Sequence, residues 1–149
     1  MGTESMTAAC PVTGMIHHIE IQHRKEGMKQ AKFNDKLGLR LLLNTIPLEE
    51  QGTKHGVRGD ARFGSVKSAN EVGICGHECV FQVKQYHSLF PKEFIEETLN
   101  KAPGGMHIVL QGTTKDEVNL VARGYKYRCK TILHFVLTKN AGETNQGDP

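Results

Sequence analysis

The residue whose chemistry stands out first is an acid. In VRGDARFGSV, residues 57–66, Asp60 closes a short extended run ahead of Phe63 and a small, helix-compatible segment. A carboxylate at the carboxyl end of a buried strand points into the crevice where α/β sheets carry ligands. A hard cation such as magnesium draws oxygen ligands from more than one segment, so one Asp cannot hold it. The other acids weighed are Glu20, on the first predicted strand, and Asp35, Glu71 and Asp116, which read as exposed. The plainer reading of Asp60 is a turn former.

Three further clusters invite chemistry. CGHEC, residues 75–79, offers two thiols and an imidazole. A structural zinc site needs a second ligand pair at defined spacing, and Cys10 and Cys129 do not supply one, so the stretch reads as a loop entering a strand. His17 and His18 are adjacent on a predicted strand, where successive side chains point to opposite faces and cannot chelate one ion. ARGYKYRCK, residues 122–130, interleaves Arg123, Lys126, Arg128 and Lys130 with Tyr125 and Tyr127. Strand alternation puts Arg123 with the two tyrosines on one face, and Lys126, Arg128 and Lys130 on the other. That second face could meet a phosphate backbone, or simply be solvated.

The elements that must position these residues follow from period and punctuation. Residues 1–13 are small and polar and are expected to be a disordered leader. GMIHHIEIQ, 14–22, reads as a strand; residues 23–47 have helical spacing, interrupted at Gly38 and ended by Pro47; 49–59 is a loop. A short helix is expected over about Ser65–Val72, with Ser65 as N-cap and Gly73 as stop. CVFQVKQY, 79–86, is a strand. PKEFIEETLN, 91–100, is a helix with Pro at its first position, acids in its first turn, and Phe94, Ile95 and Leu99 on one side. After the APGG break, MHIVLQG, VNLVARGYKY and KTILHFVLTK form an antiparallel meander with turns at TTKDE and YRCK. Residues 141–149 are a polar tail.

At 149 residues this is one α/β domain with a lean core, 38% apolar and without Trp. The net charge of +3 permits nucleic-acid binding without arguing for it. The start lacks a basic, then apolar, secretory pattern, so reduced thiols and an intracellular setting are expected. No apolar run reaches membrane-spanning length.

The order and spacing of GMIHHIEIQHRKEGMK, VRGDARFGSVKSANEVG, VFQVKQYHSLFPKEFIEETL, APGGMHIVLQGT and VNLVARGYKYRCKTILHFVLTKNAGET resemble the middle of PiggyBac-type transposases of the DDE class, over roughly residues 14–149. The resemblance implies a partial RNase H-like core over 14–100, a mixed sheet with flanking helices, followed by a β-rich insertion over 101–140. It also implies that carboxylates from separate elements bind two Mg2+ ions for DNA cleavage and strand transfer. Asp60 matches the family's second acidic position, which makes it a catalytic and metal-ligand candidate. The first acid would precede residue 14 and the later ones would follow the meander, and Arg62 stands where relatives carry an aromatic. The resemblance therefore implies a transposase fragment inactive by itself. Its rivals are a DNA-binding or regulatory remnant acting through the basic hairpin, alone or with full-length relatives, and an active transposase whose gene model is cut short. Nuclear residence follows from the resemblance alone.

Overall fold

The fold was described from a computed structural model, which describes residues 5–10, 12–21, 54–84, 87–128 and 130–139. The helix expected over 23–47 lies outside these residues. The chain divides into two units, residues 1–53 and 54–149.

In the first unit, β1 (Ser5–Ala9) pairs antiparallel with β2 (Ile16–Ile21). The expectation of a leader without structure is corrected here, since Ser5–Ala9 is a strand. The reversal is local: Cys10 N–H donates to Met15 O, Gly14 N–H donates to Cys10 O, and Gly14 takes φ 69°, which a residue without Cβ adopts at no steric cost.

The second unit is a five-stranded mixed sheet with two helices. β3 (Gly56–Gly59) runs parallel to β4 (Glu78–Gln82), and α1 (Val66–Ile74) makes the crossover between them. α2 (Lys92–Asn100) then leads to the meander β5 (His107–Thr113), β6 (Asn119–Arg128) and β7 (Thr131–Thr138). The order is β3-β4-β7-β6-β5, so the meander joins the parallel pair through an antiparallel β4–β7 contact and all five strands form one sheet.

Local chemistry accounts for the helix ends. Ser65 Oγ accepts from Ser68 N–H at 3.0 Å, satisfying one of the donors that a helix start leaves open. Gly73 does not stop α1 as expected. The helix continues to Ile74, and Gly76, at φ 78°, closes it: Gly76 N–H reaches Gly73 O while His77 N–H reaches Val72 O, the paired bonds of a Schellman end. Gly73 is small for another reason, because a Cβ there would lie 2.3 Å from Val118 Cγ1. Pro91 stands one position before α2 rather than inside it, and Phe94 is exposed while Ile95 and Leu99 are buried.

Register divides the sheet into two faces. Gly59, Phe81, Val136, Ala122 and Leu110 form one row across all five strands, and Arg58, Val80, Leu137, Val121 and Gln111 form the next row on the opposite face. The first face holds the core: Cys79, Phe81, Val83, Leu120 and Val136 are buried there, and Gly124 on the same face lies against Ile95 and Leu99 of α2. Burial of such side chains contributes about 1.5–3 kcal/mol each for those as large as Val or Phe.

Candidate functional site

Asp60 sits where the sequence places it, at the carboxyl end of β3, between the first strand of the β3–α1–β4 unit and the N-cap of α1. It is exposed. Its Oδ1 accepts from Arg62 N–H at 2.9 Å, and its carbonyl accepts from Phe63 and Gly64 N–H, both at 3.1 Å. The acid thus folds the chain into a tight turn through Oδ1 and its own carbonyl. The turn itself is closely packed. A Cβ on Gly64 would fall 1.7 Å from Gln82 O, and one on Gly59 2.9 Å from the Phe81 ring. The turn that follows Asp60 thus packs its Gly64 directly on the β4 backbone, while Gly59 makes room for the Phe81 ring.

Among the described residues, no group of three or more His, Cys, Asp or Glu side chains is arranged to hold a metal ion. Asp116, one of the other acids considered, accepts instead from Asn70 Nδ2 at 2.7 Å, while Asn70 Oδ1 accepts from the Thr114 hydroxyl at 2.6 Å. That network ties α1 to the β5–β6 turn, well removed in register from the Asp60 end. The described residues around Asp60 therefore do not by themselves supply the several carboxylates that a pair of magnesium ions needs.

The basic hairpin comes apart as a site. Lys126 is only 4% exposed, and its ammonium donates to Leu99 O at 2.8 Å and Asn100 O at 2.7 Å. Both carbonyls belong to the last turn of α2, where Leu99 O also accepts from Ala102 N–H at 3.0 Å, and a cation there complements the negative end of the helix dipole. A register shift between Lys126 and Arg128 breaks the alternation, so the expected common face of Lys126, Arg128 and Lys130 does not form. Arg123, Arg128 and Lys130 remain exposed, and the Arg128 guanidinium lies 5.0 Å from the centre of the exposed Tyr127 ring.

Val83 N–H donates to His134 O just beyond the last β4–β7 pair, and β7 continues from there back to Thr131. The β6–β7 turn consequently lies toward the same end of the sheet as Asp60, two or three strands away, with Thr131 five positions beyond the row of Gly59, Phe81 and Val136.

CGHEC is split by its own fold. Cys75 is exposed at the end of α1, whereas Cys79 is buried in β4. Burial pushes the Cys79 thiol up to about 12, only partly offset by the Thr138 backbone. A thiol held that firmly in its protonated form is a poor nucleophile and a poor metal ligand. His77 is buried and its Nδ1 accepts from His55 N–H at 3.4 Å, with the two rings 5.5 Å apart.

A cluster under α2 was not foreseen. His134 of β7 is buried edge-on against Phe90, and its Nε2 has no hydrogen-bond partner among the described residues. Glu96 Oε1 is 3.8 Å away, and Lys92 pairs with the same carboxylate at 3.7 Å. Burial holds the imidazole below its ordinary value; Glu96 opposes that and Lys92 adds to it. The Lys92–Glu96 spacing is legible in the sequence as an i, i+4 pair. Its meeting with His134 depends on how α2 lies across β7.

No helix among the described residues is long and apolar enough to cross a membrane. No protein-family model matches the chain, and a comparison with curated proteins finds no match.

Proposed function

We propose that this chain carries one metal-ligand position, Asp60, of a PiggyBac-type, RNase H-like transposase core, with the meander as its β-rich insertion, and that it does not cleave or join DNA by itself. One observation supports this above the others: the acid stands exposed at the carboxyl end of a parallel strand, just ahead of a capped helix, with one carboxylate oxygen used only for a local turn. Two-metal phosphoryl transfer needs both ions clamped against attacking and leaving oxygens. A single carboxylate at that position is a remnant of such a clamp, not a working one.

The test is nicking of supercoiled plasmid and joining of labelled duplex ends by the full chain, with Mg2+ or Mn2+ supplied. No product is expected. Product that disappears in Asp60→Ala defeats the reading of inactivity.

A second reading has its own support. Arg123, Arg128 with Tyr127, and Lys130 are exposed, and the hairpin lies toward the same end of the sheet as Asp60. We infer that a non-enzymatic role on DNA in the nucleus, alone or beside full-length transposase relatives, would run through these cations rather than Lys126. Duplex affinity measured over a salt series should fall with a slope set by the phosphates neutralised. Reversal of Arg128 and Lys130 to Glu should weaken binding and flatten the slope, and an unchanged slope counts against the reading.

A further inference from the structure

The two edges of the five-stranded sheet differ in kind. β3 is four residues long and carries Arg58, so this edge is short and charged, a common protection against unwanted pairing. β5 reads HIVLQGT, seven residues without Asp, Glu, Lys, Arg or Pro, and pairs with β6 with no break in register. His107, Val109, Gln111, Gly112 and Thr113 are exposed.

The outward-facing backbone groups can be assigned from the ladder. Lys126 N–H donates to Met106 O at 2.8 Å, and Thr114 N–H to Val118 O at 2.9 Å. Hydrogen-bonded pairs alternate along an antiparallel pair, so Met106, Ile108, Leu110, Gly112 and Thr114 are the positions that bond β6. His107, Val109, Gln111 and Thr113 turn their N–H and C=O the other way. No strand among the described residues lies on that side.

We propose that β5 is a homodimer edge, on which β5 of a second copy adds antiparallel about a two-fold axis through Leu110. In this register His107 faces the partner's Thr113 and Val109 faces the partner's Gln111, so every outward group on the strand is paired. Leu110 meets the partner's Leu110. Ile108 falls opposite the partner's Gly112, where a Cβ would find nothing within 4 Å, so there is open space for the isoleucine. No charged side chain opposes another along the seam. The two-fold closes the assembly and leaves the charged β3 edges outermost, which makes a dimer rather than a fibre.

Sedimentation equilibrium on the full chain should show the weight-average mass doubling as concentration rises. Val109→Pro removes an outward donor while leaving the β6 ladder untouched, a position where an edge strand accepts proline. It should keep the native circular dichroism and remain monomeric. Gln111→Lys, at an exposed site, should weaken dimerisation without altering the backbone. Leu110→Cys tests register, because opposed Cα atoms in a non-hydrogen-bonded pair are about 4.5 Å apart, within disulfide reach. Oxidation should link it to itself, as a peptide map would show, whereas Gln111→Cys should not self-link. A wild-type chain that stays monomeric, a Gln111→Lys variant that dimerises as the wild type does, or a self-link at position 111 instead of 110 overturns the proposal.

Discussion

The seat of α2 and the carboxyl end of β3 each hold a polar residue that stands out in the sequence, and they use it in opposite ways. At the α2 seat, Lys126 is withdrawn from solvent and committed to two helix-end carbonyls, and His134 of β7 lies near Glu96 and Lys92 of the same helix. At the end of β3, Asp60 is exposed and makes a single short-range side-chain bond, while the backbone beneath it is tightly packed. A buried charge must be paired with protein groups to be tolerated. An exposed one keeps its capacity for a ligand. Lys126 is therefore part of the scaffold, whereas Asp60 stays at the surface.

The sharpest way to break this contrast is to disturb the backbone under Asp60. Gly64→Ala places a methyl group on Gln82 O. The expected loss of stability is on the order of 3 kcal/mol or more, read by denaturant unfolding; a near-native midpoint would mean the turn after Asp60 packs less closely on β4. Lys126→Met comes next. It keeps the aliphatic stem and removes the charged donor shared by Leu99 O and Asn100 O, of which Leu99 O keeps the Ala102 N–H. The cost is about 1–3 kcal/mol, and DNA affinity and its salt slope should stay unaltered. If affinity falls while stability holds, the roles assigned to Lys126 and Arg128 are reversed.

His134 supplies a pH test. Its imidazole titrates below the ordinary value of 6.5 in the folded chain, so the unfolded state takes up the proton first as pH falls. Stability is full above that ordinary value, declines as pH drops below it toward the lowered folded value, and levels off beneath that. Unfolding at about pH 7.5 and about pH 5 should differ for the wild type and differ less for His134→Phe. An equal pH response in both chains would remove His134 from the account. The smallest effect is expected at Asp60→Asn, which keeps an oxygen acceptor for the Arg62 N–H. The unfolding midpoint should stay unchanged, and any weak stabilisation by divalent cations seen in the wild type should vanish; persistence of that stabilisation would locate the ion elsewhere.

Much of the second unit was readable from residues alone. The meander appeared from period-two runs and turn formers, and the β5–β6 turn is held by bonds between Thr114 and its near neighbours Glu117 and Val118. Ser65 was recognisable as a cap because its bond partner is only three residues away. Gly73 misled because a glycine near a helix end looks the same whether it ends the helix or makes room for Val118. Lys126 misled because strand alternation assumes an unbroken register, and the shift beside Arg128 is set by how β6 meets β7.

The amino-acid sequence determined where the two helices, β4 and the meander of the second unit lie and that Asp60 ends an extended run, since alternation, caps and turns involve bonds spanning a few residues. Residues 49–59, however, read as a loop where Gly56–Gly59 is a strand. Tertiary structure decided which charges are spent inside and which remain at the surface. It also decided that the meander shares a sheet with β3 and β4, and that β5 rather than β6 or β7 is left at the edge. Those outcomes rest on contacts between residues far apart in the chain, where burial and pairing outweigh any local preference.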